Sequence, residues 1–100
     1  MPDFSRVIGF EWDEGNSRKN VDKHGVSQSE AEQIFLDPRL LVLVDDRHSG
    51  AEKRFASYGR TVERRRLHVN FMLRSEDTLI RVISARATSR RERARYDQET

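Results

Sequence analysis

Arg54, Tyr58, His68, Asn70 and Arg81 are the side chains of this 100-residue sequence whose spacing could best build a reactive surface. If Phe55, Val69, Ile80 and Val82 point to a core, a period of two turns those five onto the other face of neighbouring strands. Arginines brought together in this way repel unless an anion or a carboxylate lies between them. The pattern reads either as a phosphate site with a proton-transfer group beside it or as a solvated face paired to nearby glutamates. Lys23-His24 closes a helical stretch, where the helix dipole favours a cation and raises the proton affinity of imidazole. A base or a phosphate clamp could sit there, and so could a pair that only complements the helix end.

A further group is purely cationic. Between positions 79 and 96, Arg81, Arg86, Arg90, Arg91, Arg93 and Arg95 are accompanied by Glu92 alone. Such a stripe suits an RNA backbone, an acidic protein surface or water. His24, His48 and His68 are far apart, Asp45-Asp46-Arg47-His48 lacks a metal-ligand spacing, and there is no cysteine, so no metal site is expected. There is no glycine-rich phosphate loop, no Gly-x-Ser-x-Gly elbow and no thiol nucleophile, which removes most nucleotide-hydrolysing and acyl-transfer classes. No cofactor is implied.

The elements that must position these residues follow from capping and periodicity. Asp13 is a good N-cap for a helix over 14–24, which Gly25 stops. Ser27 with Glu30 forms a capping box for a second helix, along which Ala31, Ile34 and Phe35 fall at helical spacing before Asp37-Pro38 ends it. From residue 40 the period changes to that of strands, at 40–44, 53–58, 67–73 and 79–85, with a polar loop over 45–51 and a tight connection over 75–78. Ser89 with Glu92 forms another capping box, opening an arginine-rich helix through Tyr96. The order ααββββα gives an α+β fold: two N-terminal helices, a four-stranded, mainly antiparallel meander and a C-terminal helix.

One domain over residues 1–100 is all that this length supports. Its 35% hydrophobic content is ample for a core, and no run approaches the roughly 20 apolar residues needed to span a bilayer. The start MPDFSRVIGF lacks the features of a secretion signal, and the absence of cysteine fits a reducing, cytoplasmic setting. The net charge of +2 hides an asymmetry: residues 1–50 hold 6 Lys/Arg against 10 Asp/Glu, and residues 51–100 hold 13 against 7. Twelve of those 13 are arginine, the better group for bidentate phosphate and carboxylate binding, so an anionic partner is expected.

Phe10-Glu11-Trp12-Asp13, Lys19-Asn20, Lys23-His24-Gly25-Val26-Ser27, Glu30-Ala31, Phe35 and Asp37-Pro38 resemble the front half of the BrnT toxins. Glu52-Lys53-Arg54-Phe55, Gly59 and Arg81-Val82-Ile83-Ser84-Ala85-Arg86, followed by Thr88, Arg90, Arg91, Glu92, Arg93 and Tyr96, are similar to the rest of that family's pattern. The resemblance runs over residues 10–96 in order. It departs from the family in the arginine-rich stretch 57–66 and in Gly15 within the first helix.

The resemblance implies a fold related to the RelE toxins and a metal-independent endoribonuclease that cleaves RNA and arrests growth. It implies as partner a BrnA-like antitoxin with a ribbon-helix-helix part, through which the pair reaches operator DNA and represses its own operon. RNA cleavage needs a base for the 2′-hydroxyl proton, cations for the pentavalent phosphate and an acid for the leaving oxygen. On this reading Arg54 and Arg81 hold the transition-state phosphate, with Lys23 and Arg86 assisting. His24, His68 or Glu52 moves the proton, and Tyr58, Arg86 and Arg90 bind substrate. The alternative is a catalytically inactive RNA- or protein-binding co-repressor module, which shares the same composition. Apolar and basic surface left exposed would call for a tight partner in either case.

Overall fold

A computed structural model describes residues 2–47 and 49–99, with the side chains of Asn16 and Ser17 left aside; His48 lies outside the described residues. The chain runs β1 (Gly9–Trp12), α1 (Glu14–His24), α2 (Gln28–Gln33), a 3-10 turn (Ile34–Leu36), β2 (Leu41–Val44), β3 (Phe55–Arg60), β4 (Arg66–Arg74), β5 (Leu79–Ala87) and α3 (Arg90–Glu99). The sheet has five strands in the order β1-β5-β4-β3-β2. Strands β2 to β5 form the expected antiparallel meander, and β1 adds a fifth strand parallel to β5.

The α+β class holds, with two corrections to its detail. A strand precedes the helices, because Phe10 and Trp12 pack on the core while the backbone of 9–12 pairs with 79–82. That partner lies some 70 positions away, and no local pattern in four residues announces it. The second helix is also shorter than its apolar spacing implied, since Ile34–Leu36 tightens into a 3-10 turn ahead of Pro38.

Both capping boxes form. Ser27 Oγ accepts from Glu30 N at 3.1 Å while the Glu30 carboxylate accepts from Ser27 N at 3.2 Å. Ser89 and Glu92 repeat the pattern at 3.2 and 2.8 Å. Arg65 explains part of the arginine-rich stretch. Its guanidinium donates to the carbonyls of His24 and Gly25 at the end of α1 and to Glu30, binding the two helices to the β3–β4 turn.

One sheet face carries the core. Phe55, Leu67, Val69, Phe71, Ile80, Val82 and Ala85 lie beneath Val26, Ala31 and Ile34. Phe71 is its centre, stacked on Phe55 at 5.3 Å between ring centroids and edge-on to Phe35 at 5.1 Å. Beyond the end of β1, Asn20 of α1 accepts a hydrogen bond from Ala85 N at 3.2 Å, so the helix side chain continues the satisfaction of the β5 edge.

Candidate active site

The other face of the sheet forms a groove of about 510 Å³. Strand β3 supplies Ala56 and Tyr58, β4 supplies His68 and Asn70, and β5 supplies Ile83, Ser84 and Arg86. Asp45, Arg47 and Arg54 stand at its mouth on the β2–β3 connection. Ser49 ties that connection down, its hydroxyl donating to Asp45 O at 2.7 Å and accepting from Arg54 N at 3.0 Å. Glu92 of α3 completes the lining.

A β-bulge decides what faces this groove. Asn70 pairs with Ser84 but Phe71 pairs with Val82, so Ile83 is the extra residue on β5. Upstream of it Ile80 and Val82 face the core; downstream Ala85 does, at odd rather than even spacing. Strict alternation would have buried Arg86. The bulge instead turns Ser84 and Arg86 outward.

His68 lies at the floor, 7% exposed, with Nδ1 lacking a hydrogen-bond partner among the described residues. Burial pushes its pKa below the ordinary histidine value, and the Arg86 charge pushes the same way. The ring is therefore neutral near pH 7. Tyr58 packs on it at 4.7 Å between centroids. Burial and the Glu92 charge raise the tyrosine's pKa, so its hydroxyl keeps its proton. Across the floor Asn70 Nδ2 donates to Ser84 Oγ at 3.0 Å. Arg86 is held by Glu92, and hydrogen bonds from Arg86, outweighing burial, bring the glutamate's pKa down to about 2.

Of the residues singled out in the sequence, Arg54, Tyr58, His68, Asn70 and Arg86 thus share one groove. Arg81 does not join them. It shares their face of the sheet but sits directly beside Glu11 of β1, pairing with that carboxylate and with Asp13 at 3.7 Å. The unforeseen fifth strand brings the counter-charge, so the expected convergence of Arg54 with Arg81 does not occur. Glu52 pairs with Arg74 at 3.6 Å, away from the groove lining. Lys23 lines a separate shallow depression on α1 with Arg18, Lys19 and Asp22, and His24 ends that helix beneath Arg65. Arg90 is exposed on the first turn of α3. Sequence reasoning missed Arg47 and Ser84. The broken parity of Ile80, Val82 and Ala85 was the available signal for Ser84, and a loop position such as Arg47 offers none. Among the described residues no three His, Asp or Glu side chains gather to hold a metal ion.

The family description "Ribonuclease toxin, BrnT, of type II toxin-antitoxin system" matches residues 12–92. The chain belongs to the BrnT family. Its fold is similar to the crystal structure of the Brucella abortus ribonuclease toxin BrnT, with a TM-score of 0.63 at 22% identity, over 84% of this chain and 100% of that one. No curated protein matches it. Membership of the BrnT family brings with it an RNA target and an antitoxin partner. Every residue that lines the groove falls within the matched segment.

Proposed function

We propose that this chain is a metal-independent endoribonuclease and that the groove beneath α3 is where it cleaves RNA. The observation that carries this reading is the buried, neutral His68, with an unpartnered ring nitrogen, in a groove that Arg47, Arg54 and Arg86 also line. In the proposed reaction His68 takes the proton of the ribose 2′-hydroxyl, and the 2′-oxygen attacks the adjacent phosphorus. Arg54, Arg86 and Arg47 neutralise the charge of the pentavalent phosphate. The bond from phosphorus to the 5′-oxygen breaks and that oxygen takes a proton from solvent water, leaving a 2′,3′-cyclic phosphate. Tyr58, which keeps its hydroxyl proton, stacks a base and hydrogen-bonds the phosphate. Arg90 guides the strand from the exposed face of α3.

The partner we propose is a BrnA-like antitoxin whose ribbon-helix-helix part carries the pair to operator DNA, with both proteins acting in the cytoplasm. Family membership supports an antitoxin, and the sequence resemblance supports its type.

Induction of the chain alone, beside Arg54→Ala and His68→Gln, tests the ribonuclease reading. Growth arrest with RNA fragments from the parent and neither variant is expected. Unaffected growth and intact RNA from a folded, well-expressed parent would overturn it and favour a co-repressor module.

A further inference from the structure

The three most exposed large apolar side chains of the described residues are Ile8, Leu36 and Val62, at 85, 83 and 80%. They are not scattered. Ile8 and Leu36 line one groove of about 300 Å³ with Phe4, Phe10 and Phe35, and Leu36 lines a second with Val62. The two grooves are therefore continuous through Leu36, forming one apolar strip along the 3-10 turn. This strip lies on the helix side of the sheet, opposite the groove that holds His68. Large apolar side chains gathered in this way on a small protein mark a surface that another molecule covers.

The end of the strip beside Val62 is cationic. Arg60 and Arg64 line it with one carboxylate, Asp37, which is already taken, while Glu63 and Glu30 line a separate depression that Val62 shares. Asp37 accepts hydrogen bonds from the Tyr96 hydroxyl and from the backbone N–H groups of Arg39 and Arg60. Apolar residues make this strip unsuited to an RNA backbone, while Arg60 and Arg64 together outweigh Asp37 and select against a basic partner.

We propose that the strip from Ile8 through Leu36 to Val62 docks an acidic amphipathic segment of the antitoxin. The segment sets apolar side chains against Ile8 and Leu36 and carboxylates against Arg60 and Arg64. It anchors the antitoxin on the face away from the RNA groove, so holding the partner and blocking the groove are separable tasks. The assignment rests on the toxin–antitoxin reading, which supplies the partner.

The test measures affinity of the purified cognate antitoxin for the parent, for the Ile8→Glu/Leu36→Glu double variant and for Arg64→Gln, with cleavage of an RNA oligonucleotide followed on the same preparations. Both apolar positions are solvent-facing, so the double variant should melt like the parent. Its antitoxin affinity should fall about 100-fold or more, as for loss of central anchors, with RNA cleavage unchanged. Arg64→Gln should weaken binding about threefold at low salt and not at high salt. Unchanged affinity in the double variant overturns the docking site. A parent that sediments alone as a dimer, which Leu36→Glu dissolves, overturns it too and gives the strip to a second copy of the chain. Antitoxin binding through the strip by a parent that leaves RNA intact keeps the docking site and overturns the ribonuclease reading alone.

Discussion

Arg86 donates through both terminal nitrogens to the two carboxylate oxygens of Glu92, each at 2.8 Å. The same carboxylate accepts from Ser89 N, so one side chain caps α3 and fixes a guanidinium in the groove that holds His68. This couples the helix end to the site: α3 cannot fray at its first turn without releasing Arg86.

Glu92→Gln should therefore lower stability by about 1 to 2 kcal/mol, allowing for solvent at the edge of the pair. The wild-type contribution depends on pH. Glu92 titrates lower in the folded chain than in the unfolded one, so its stabilisation is present above the ordinary value of 4.5 and lost as pH falls towards about 2. Urea melts of parent and variant between pH 7 and pH 3 should converge as the solution is acidified.

His68 behaves similarly but for a base. Its pKa is depressed from 6.5, so the ring stays neutral down into mildly acidic solution, and cleavage should decline only below that value. The same depression makes neutral His68 cost nothing above pH 6.5 and destabilises the fold as pH falls through the folded pKa. His68→Gln should lower the cleavage rate about 100-fold or more and remove this acidic limb from the pH profile.

Arg81 shares a sheet face with the groove but pairs with Glu11 rather than joining it. Arg81→Ala should leave cleavage within about threefold of the parent but lower stability by about 1 kcal/mol or more, since it strands Glu11 beside a half-buried strand. Arg54→Ala should do the reverse, reducing the rate about 100-fold with little change in melting. Parallel melts and single-turnover cleavage distinguish them.

Gly59→Ala tests the seat of the 3-10 turn. A Cβ at Gly59 would lie 2.7 Å from Ile34 Cβ and 3.2 Å from Ile34 O, neither of which can swing away. The variant should lose about 1 to 3 kcal/mol in urea unfolding.

Much of this was legible in the residues. Ser27/Glu30 and Ser89/Glu92 announced two helix starts, Gly25 a helix end, and the alternation of Leu67, Val69, Phe71 and Leu73 the central strand with its inner and outer faces. That alternation was enough to bring Tyr58, His68 and Asn70 together. What escaped were long-range and irregular features. The pairing of β1 with β5 depends on a partner distant in sequence, and it is this pairing that gives Arg81 its carboxylates. The bulge at Ile83 breaks the period on which the outward face was counted, and so Arg86 entered the groove where strict alternation would have buried it. Lys23-His24 carried the chemistry of a clamp, but Arg65 reaches that helix end from the β3–β4 turn and binds its carbonyls.

The most direct measurement incubates the purified parent, with EDTA present, with a single-stranded RNA oligonucleotide and with its 2′-deoxy counterpart, beside His68→Gln. The expected result is cleavage of the RNA only, ending in a cyclic phosphate, with His68→Gln slowed about 100-fold or more. Intact RNA from the folded parent, or equal cleavage of the 2′-deoxy strand, would contradict a ribonuclease acting through the 2′-hydroxyl in this groove.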